Sequence, residues 1–211
     1  HELSFYDSQP PPLIGLEQQF IASARLDNLL SCYMAVCALI NSNDEYASLL
    51  VCNDHEEVGS SSSSGAQGPF LSSVLERIVG AKAEHADDFE RVIRRSLLLS
   101  IDNAHAVHPN FSDKHDDQHG PILNGGPVIK INANQRYASN SNSIARFKSL
   151  CENQGVSYQS FVMRSDMACG STIGPLTATK IGVSTVDIGV PTLGMHSIRE
   201  LAGADDAEAV C

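Results

Sequence analysis

The chain has 211 residues, of which 42% are hydrophobic and only 6% aromatic, so we expect one domain, or two small ones, around an aliphatic core. Its 14 basic and 25 acidic residues give a net charge of −11, which argues against nucleic acids and anionic membranes as partners. With no signal peptide, no bilayer-length apolar run and no CxxC pair among six cysteines, the sequence indicates a cytoplasmic chain without disulfides.

The first quarter of the chain consists of a polar N-terminal segment followed by two apolar segments. Residues 1–20 are rich in proline and polar residues, which predicts a linker or an extended strand that leads into the domain. The apolar segment 26–40 predicts a helix, with Asp27 at its start where an N-cap carboxylate would stand. The short apolar run 46–52 predicts a buried strand, and it ends abruptly at the polar sequence NDHEE of residues 53–57.

The rest of the chain alternates helix and strand patterns. The Ser/Gly-rich stretch 59–68 has two interpretations, a low-complexity linker or a loop that leads into the next helix. Segment 89–99 begins as a helix and ends in an apolar run. Helical patterns cover residues 70–79, 142–154 and 172–181, and strand patterns cover residues 127–132, 157–162 and 183–188. This alternation favours the α/β class with a largely central sheet.

Four places along the chain put a metal-ligand type of residue at or after the end of an apolar run. They are Asp27, the pair Glu56 and Glu57, Asp102, and His196. In open α/β sheets, the carboxyl ends of strands line the crevice where ligands bind. Several acids at that edge would repel each other unless cations neutralise them. Carboxylate and imidazole together suit zinc or a similar divalent ion, and two metals that share a bridging carboxylate need about this set.

Adjacent glutamates suit a metal-dependent hydrolase, because one can bind metal while the other stays free to accept a proton. Each residue also has an ordinary interpretation. Glu56 and Glu57 could form a solvated acidic turn, Asp27 a plain N-cap, Asp102 a strand-end turn, and His196 a core or surface histidine. The joint placement of these residues therefore carries more weight than any one of them.

Longer motifs connect these residues to a known family. They are ARLDNLLSCY (24–33), NDHEEVGS (53–60), IDNAHAVHPN (101–110), GPVIKINANQRYA (126–138), SDMACGSTIGP (165–175) and VDIGVPTLGMHSIRE (186–200). In the order and spacing of these motifs, the chain resembles the aspartyl aminopeptidases, a family of co-catalytic zinc peptidases. Its overall sequence is similar to that of bacterial members. The resemblance implies a three-layer α/β/α zinc-peptidase-like fold with a central mixed sheet, in which residues 21–211 form part of the catalytic domain.

The resemblance also implies the roles of the acidic residues and the histidine. Asp27 would bridge two divalent ions, and Glu57 and His196 would complete one of the two metal sites. Asp102 would join Asp27 at the other site. Glu56 would be the general base that takes a proton from a water activated by both metals, and the acid that later delivers it to the leaving amine. Zinc is the expected metal, with manganese or cobalt as alternatives.

Three further residues and one loop would contact the substrate. His105 would lie near it, and Lys130 and Tyr137 would face its acidic first side chain, since an ammonium and a phenol can together hold a carboxylate. Without the resemblance, Lys130 would be interpreted as solvent-facing and Tyr137 as packed. The run 170–172 could offer backbone N–H groups to the substrate or simply start a helix. The implied enzyme is an aminopeptidase that prefers N-terminal Asp or Glu in peptides and assembles as a dodecamer.

The chain departs from the family pattern in three ways, so we expect it to represent roughly half of a full-length member. The family's HxD motif with a further metal-binding His, its inserted domain and its last helix are not among these residues. The site that pairs Asp27 with Asp102 would then lack one protein ligand. Two other functions stay open: a related two-metal hydrolase of other specificity, and a non-catalytic fragment or paralogue that binds metal or partner subunits only.

Overall fold

The computed structural model describes residues 3–43, 45–164 and 166–211. The first two residues of the predicted linker or entry strand, and the first residue of the 165–175 motif, lie outside that set. Mixed β-sheets flanked by helices confirm the α/β class. Among the helices of the described residues, none has the length and hydropathy that a membrane crossing requires.

Nine strands and six helices make up the regular structure of the described residues. In chain order they are β1 (Leu13–Ile14), β2 (Phe20–Ser23), α1 (Leu26–Asn41), α2 (Phe70–Gly80), α3 (Asp88–Arg95), β3 (Leu97–Ile101), β4 (Ala104–His105), β5 (Val128–Ile131), α4 (Ser141–Gln154), β6 (Gln159–Val162), α5 (Ile173–Ile181), β7 (Ser184–Gly189), β8 (Pro191–Leu193), β9 (Glu200–Gly203) and α6 (Ala204–Val210). Two short 3-10 turns, Glu56–Val58 and Ser112–Lys114, lie in the connections.

The predicted central mixed sheet is divided into two mixed sheets. One has the strand order β3-β7-β5-β6, and the other has the order β1-β2-β9-β8-β4. The same two chain segments run through both sheets, because β3 pairs in parallel with β7 and β4 pairs in parallel with β8. Between the sheets, Asp102 N donates to Ile188 O at 3.0 Å and Ala104 N donates to Val190 O at 2.8 Å. Asp102 therefore lies at the junction of the two sheets.

A close backbone approach at this junction requires glycine. A Cβ atom added to Gly189 would lie 1.7 Å from the carbonyl oxygen of Asp102, far inside contact distance. Gly189 ends β7, directly before the bend into β8. Any side chain at this position would push the two segments apart, so the residue type helps to place Asp102.

Helix packing against the sheets follows the apolar spacing of each helix. Leu26, Leu30 and Met34 recur at four-residue intervals on α1 and bury one face in a cluster with residues of β9 and α6. A second cluster places Phe147 and Cys151 of α4 against β5 and β7. Helix α4 begins with an Asn140 capping box and ends before Gly155 at φ 68°. The predicted helices 26–40, 70–79, 142–154 and 172–181 are confirmed to within a residue or two at each end.

One strand prediction is wrong, and one open alternative is resolved. Residues 46–52 form no strand, and they are exposed or half-buried. An apolar run becomes a strand only where a neighbouring backbone accepts and donates its hydrogen bonds, and none of the described strands pairs with this segment. The Ser/Gly-rich stretch 59–68 is a folded loop and not a low-complexity linker: Asp54 N donates to Ser64 O at 3.1 Å, and Lys180 Nζ donates to Gln67 O at 2.9 Å.

Candidate active site

One cavity of about 260 Å³, at the junction of the two sheets, gathers the residues that were singled out in the sequence. The residues are contributed by α1, the turn after residue 55, both sheets and the connection between β8 and β9. All eight line its wall: Asp27, Glu56, Glu57, Asp102, His105, Lys130, Tyr137 and His196. The loop residues Gly170, Ser171 and Thr172 line it too. The structure thus brings the set together, while the role of each residue stays a prediction.

Three of these side chains form a cluster with the spacing of a metal site. His196 Nε2 lies 2.9 Å from Asp27 Oδ2 and 3.1 Å from Glu57 Oε1. One ligand atom from each of the three residues lies within 4.8 Å of the other two. Within residues 3–43, 45–164 and 166–211, no other group of three His, Cys, Asp or Glu residues meets this criterion.

Local backbone geometry directs these three side chains into the cavity. Asp27 precedes the regular part of α1, with non-helical φ −82° and ψ 110°, and its side chain is only 4% exposed. Glu56 and Glu57 share a single 3-10 turn that is bounded by left-handed residues. His196 has φ 65° in the turn between β8 and β9. The N-cap interpretation of Asp27 is wrong, because Arg25 occupies the N-cap position and the Asp27 carboxylate meets His196 instead.

Negative charge is crowded at this cluster. Burial, and then the charges of Asp102 and Glu57, raise the pKa of Asp27 to about 7. Burial, followed by the same two charges, raises the pKa of Glu56 to about 6. Burial alone would lower the pKa of His196, but the charges of Glu57 and Asp27 outweigh it and raise that pKa. A cation at the cluster would relieve this repulsion.

The residues of the cluster fit a zinc ion. Asp27 Oδ1 is a buried atom that has no hydrogen-bond partner among the described residues. Leaving a buried carboxylate oxygen unpaired is costly, so this atom is an acceptor that a cation would satisfy. Carboxylate oxygen and imidazole nitrogen are both zinc ligands, and a catalytic site with three protein ligands leaves a fourth position for water or substrate.

Asp102 lies beside the cluster but has protein partners of its own. Its Oδ1 accepts from Asn28 Nδ2 at 2.8 Å, and its Oδ2 accepts from Lys130 Nζ at 3.2 Å. Burial alone would raise the pKa of Asp102, but Lys130, followed by the Asn28 hydrogen bond, outweighs burial and lowers that pKa. The Asp102 carboxylate is therefore held charged by a neighbouring cation of the same chain.

Lys130 and Tyr137 form a buried wall of the cavity. Lys130 is 3% exposed, so its interpretation as a solvent-facing strand residue is wrong. Its Nζ lies 5.5 Å from the centre of the Tyr137 ring, and that ring packs against Phe161. Burial raises the pKa of the Tyr137 phenol well above its usual range, so the phenol is neutral and can donate a hydrogen bond. Tyr137 is thus packed, as one interpretation held, and also lines the cavity.

His105 lies on β4 in the wall of the same cavity and remains partly exposed. Desolvation of the ring, and then the charge of Lys130, lower its pKa. A neutral imidazole at this place could either donate or accept a hydrogen bond to a bound molecule.

Two buried acids that support the site are not singled out by sequence patterns. Glu200 accepts from Asp27 N at 2.8 Å and from His196 N at 2.7 Å. Asp187 lies on β7, where a strand interior normally excludes aspartate. Asp187 could have been found from this mismatch between residue type and strand position. Glu200 gives no comparable signal, because it stands at the start of a short strand.

Asp187 joins two walls of the cavity to the sheet. It is 1% exposed, and its Oδ1 accepts from Ser100 Oγ and Thr172 Oγ1, both at 2.6 Å. Its Oδ2 accepts from Ala138 N at 2.6 Å. Because Thr172 lines the cavity and Ala138 follows Tyr137, one carboxylate anchors both segments to β7.

Comparisons with known proteins agree on one family. The family model described as aminopeptidase I zinc metalloprotease (M18) matches residues 1–211. A probable M18 family aminopeptidase 2 from Ectopseudomonas mendocina (strain ymp) is 64% identical over 208 residues, which are 99% of this chain and 48% of that protein. A protein of the same name from Pseudomonas aeruginosa (strain UCBPP-PA14) is 61% identical over 98% of this chain and 47% of its own length. The chain spans about half the length of these curated relatives.

Solved structures show the same backbone fold. A Thermotoga maritima aminopeptidase of the M18 family superposes with a TM-score of 0.89 at 26% identity, covering 97% of this chain and 47% of that one. The S. cerevisiae mApe1 dodecamer gives a TM-score of 0.84 at 31% identity, covering 97% of this chain and 47% of the mApe1 chain. Ape4, in a complex with Nbr1, gives a TM-score of 0.91 at 42% identity, covering 97% of this chain and 40% of the Ape4 chain.

Proposed function

This chain belongs to the aminopeptidase I zinc metalloprotease (M18) family, and on that premise we propose that the whole protein is a metal-dependent aminopeptidase. It would hydrolyse the N-terminal peptide bond of peptides in the cavity at the sheet junction. The observation that carries the proposal is the cluster of Asp27, Glu57 and His196 with Glu56 in the same cavity wall. A site of three protein ligands beside a free carboxylate is the arrangement of a hydrolytic metal centre.

The residues of the cavity wall divide metal binding and proton transfer between them in this proposal. Asp27, Glu57 and His196 would hold one zinc ion, and Asp27 and Asp102 would contribute to a second, with manganese or cobalt as alternatives. Bound zinc supplies a Lewis acid that polarises the scissile carbonyl and lowers the pKa of water. Glu56 lies in the cavity wall but outside the three-ligand cluster, so its carboxylate is free for proton transfer. It would accept a proton from the attacking water and deliver it to the nitrogen of the leaving amine as the peptide C–N bond breaks.

Metal removal gives the direct test of the centre. We expect zinc at about 100 times its Kd to stabilise the metal-free protein by about 2.7 kcal/mol, or a rise in Tm of roughly 5–10 °C. The His196→Ala variant should lose this zinc-dependent rise, because one of three ligands is gone. His85→Ala, which changes an exposed histidine outside the cavity, should keep it. Thermal melts with a chelator and with added zinc measure the effect, and a wild-type protein that is indifferent to zinc would refute the centre.

We further propose that the enzyme prefers peptides with N-terminal Asp or Glu. The support is a buried ammonium, Lys130, beside the neutral phenol of Tyr137 in the wall of the cavity. Together they would hold the substrate carboxylate with a charge-assisted hydrogen bond. Lys130 also pairs with Asp102, so its removal should harm every substrate to some degree.

The ratio between substrates separates the two effects of Lys130. In Lys130→Met, we expect kcat/KM to fall about 10-fold more for a Glu-derived than for a Leu-derived substrate, since a hydrogen bond to a charged group contributes about 1.5–3 kcal/mol. Lys148→Met is the matched control, because Lys148 Nζ lies 5.2 Å from the Tyr158 ring in a similar cation–π contact outside the cavity. Steady-state kinetics on both substrates gives the ratio. Equal losses would point to a related hydrolase of broader specificity.

The assembly and the location of the whole protein are part of the same proposal. A related M18 protein forms a dodecamer, mApe1 of S. cerevisiae. We propose that the present protein is also a homo-oligomer, a dodecamer, and that it acts on peptides in the cytoplasm.

A further inference from the structure

One buried carboxylate contacts the backbones of two of the three residues in the cluster of Asp27, Glu57 and His196. Glu200 begins β9 and is 2% exposed. Its Oε2 accepts from the backbone N–H of Asp27 at 2.8 Å, and its Oε1 accepts from the backbone N–H of His196 at 2.7 Å. Asp27 and His196 are 169 residues apart in the sequence. We propose that Glu200 is a positioning residue, which sets the distance between these two ligands; this inference rests on the proposed function.

Neither of the two backbone N–H groups belongs to a regular hydrogen-bond ladder. Asp27 has non-helical φ and ψ before the regular part of α1, and His196 has a left-handed φ of 65° in a turn. The side chains of both residues depend on these backbone conformations to meet at 2.9 Å. Hydrogen bonds to a charged carboxylate are shorter and stronger than those between neutral groups. Glu200 therefore stabilises the conformation in which both ligands face the cavity.

The chemistry of Glu200 makes the proposal specific to a carboxylate. A carboxylate offers two acceptor oxygens, one for each N–H group, whereas the amide of Gln offers one oxygen and one nitrogen that only donates. In Glu200→Gln, either Asp27 N or His196 N must face a second donor. One of the two ligands then loses its anchor, although the side chain keeps its size.

If Glu200 had a purely structural role, its two hydrogen bonds would affect the stability of the fold but not zinc affinity. Another buried acid of the chain serves as a matched control for that case. Asp206 is 1% exposed, and it also accepts from two backbone N–H groups, Asn124 N at 2.6 Å and Gly126 N at 2.8 Å. It does not line the cavity. Asp206→Asn therefore breaks the same kind of double hydrogen bond without touching a ligand of the metal centre.

Zinc affinity of the full-length protein tests the proposal. Competition with a chromophoric chelator should show zinc binding about 10- to 100-fold weaker in Glu200→Gln and about unchanged in Asp206→Asn. A fall in Tm is expected for both variants. Unchanged zinc affinity in a folded Glu200→Gln variant would overturn the inference and leave the proposed function standing. If the wild-type protein itself binds no zinc, both are overturned.

Hydrogen exchange of the wild-type protein provides a measurement that holds even if Glu200→Gln does not fold. In the metal-free protein, the N–H groups of Asp27 and His196 should exchange as slowly as those of the β8–β9 ladder, despite the exposed side chain of His196. Protection of both groups supports a carboxylate that holds them together. Exchange of either group at the rate of exposed loop amides would overturn the proposal.

Discussion

Replacing Glu56 with Gln is expected to lower kcat about 10²- to 10⁴-fold while zinc stays bound. Glutamine matches glutamate in shape but cannot accept the proton of the attacking water. Glu56 lines the cavity but does not belong to the cluster of Asp27, Glu57 and His196, so the loss of its charge leaves the ligand set intact. Turnover of an aminoacyl chromogenic substrate and zinc content by mass spectrometry, measured on the same preparation, check both parts of the result.

The neighbouring glutamate separates proton transfer from metal binding. Glu57→Gln should weaken zinc binding, because Glu57 Oε1 lies 3.1 Å from His196 Nε2 inside the cluster. Glu90→Gln, on the exposed surface of α3, should change neither zinc content nor turnover. Near-normal turnover in Glu56→Gln would remove Glu56 from the mechanism. Loss of zinc in that variant would make Glu56 a ligand instead of the base.

Asp187→Ala is expected to lower the free energy of unfolding by about 3–5 kcal/mol. The change leaves three buried donors without their acceptor: the Ser100 hydroxyl, the Thr172 hydroxyl and the Ala138 N–H group. Each unsatisfied buried group costs about 1–3 kcal/mol, although the hydroxyls can turn to other partners. Chemical denaturation followed by circular dichroism measures the loss.

Asp187→Asn is the conservative variant for this prediction. Its amide oxygen can still accept from Ala138 N, and its amide nitrogen can donate to the two hydroxyls, which accept as readily as they donate. We expect a loss of about 1 kcal/mol. Equal losses in the Ala and Asn variants would show that the charge of Asp187, and not its pattern of hydrogen bonds, stabilises this region.

Sequence patterns predicted the elements that carry enough residues to show a period. Helix α4 has fourteen residues, an Asn140 capping box and a terminal glycine, and each of these signals is local. Strands β1, β4 and β8 have two or three residues, too few to show the alternation of a strand. The run 46–52 was predicted as a strand and is not one, because hydrophobicity predicts burial but does not supply a neighbouring strand to pair with.

The candidate site could be predicted as far as residue types mark it. Glu56, Glu57 and Asp102 each follow an apolar run, and the family motifs extend that pattern to Lys130 and Tyr137. The ion pair between Lys130 and Asp102 could not be predicted. Asp102 directly follows β3 and Lys130 lies on β5, and the position of both strands beside β7 appears only in the fold.

The supporting contacts of the site were harder still to predict. Glu200 acts on the backbone of Asp27, 173 residues away in the chain. A hydrogen bond to a backbone N–H group places no demand on the residue type of its partner, so it leaves no mark in the sequence. Asp187 left only an indirect mark, an acid inside a strand.

The junction of the two sheets has a consequence for the order of folding. Asp102 and Lys130 are placed by the sheet that contains β3 and β5, whereas His105 and His196 are placed by the sheet that contains β4, β8 and β9. Residues that meet in the cavity lie far apart in the sequence, as Asp27 and His196 do. Bringing such residues together costs loop entropy, which is offset only when further contacts form, so these contacts tend to form late. We therefore expect the cavity to be among the last features to assemble, and an ion bound there, as proposed above, would report that both sheets are complete.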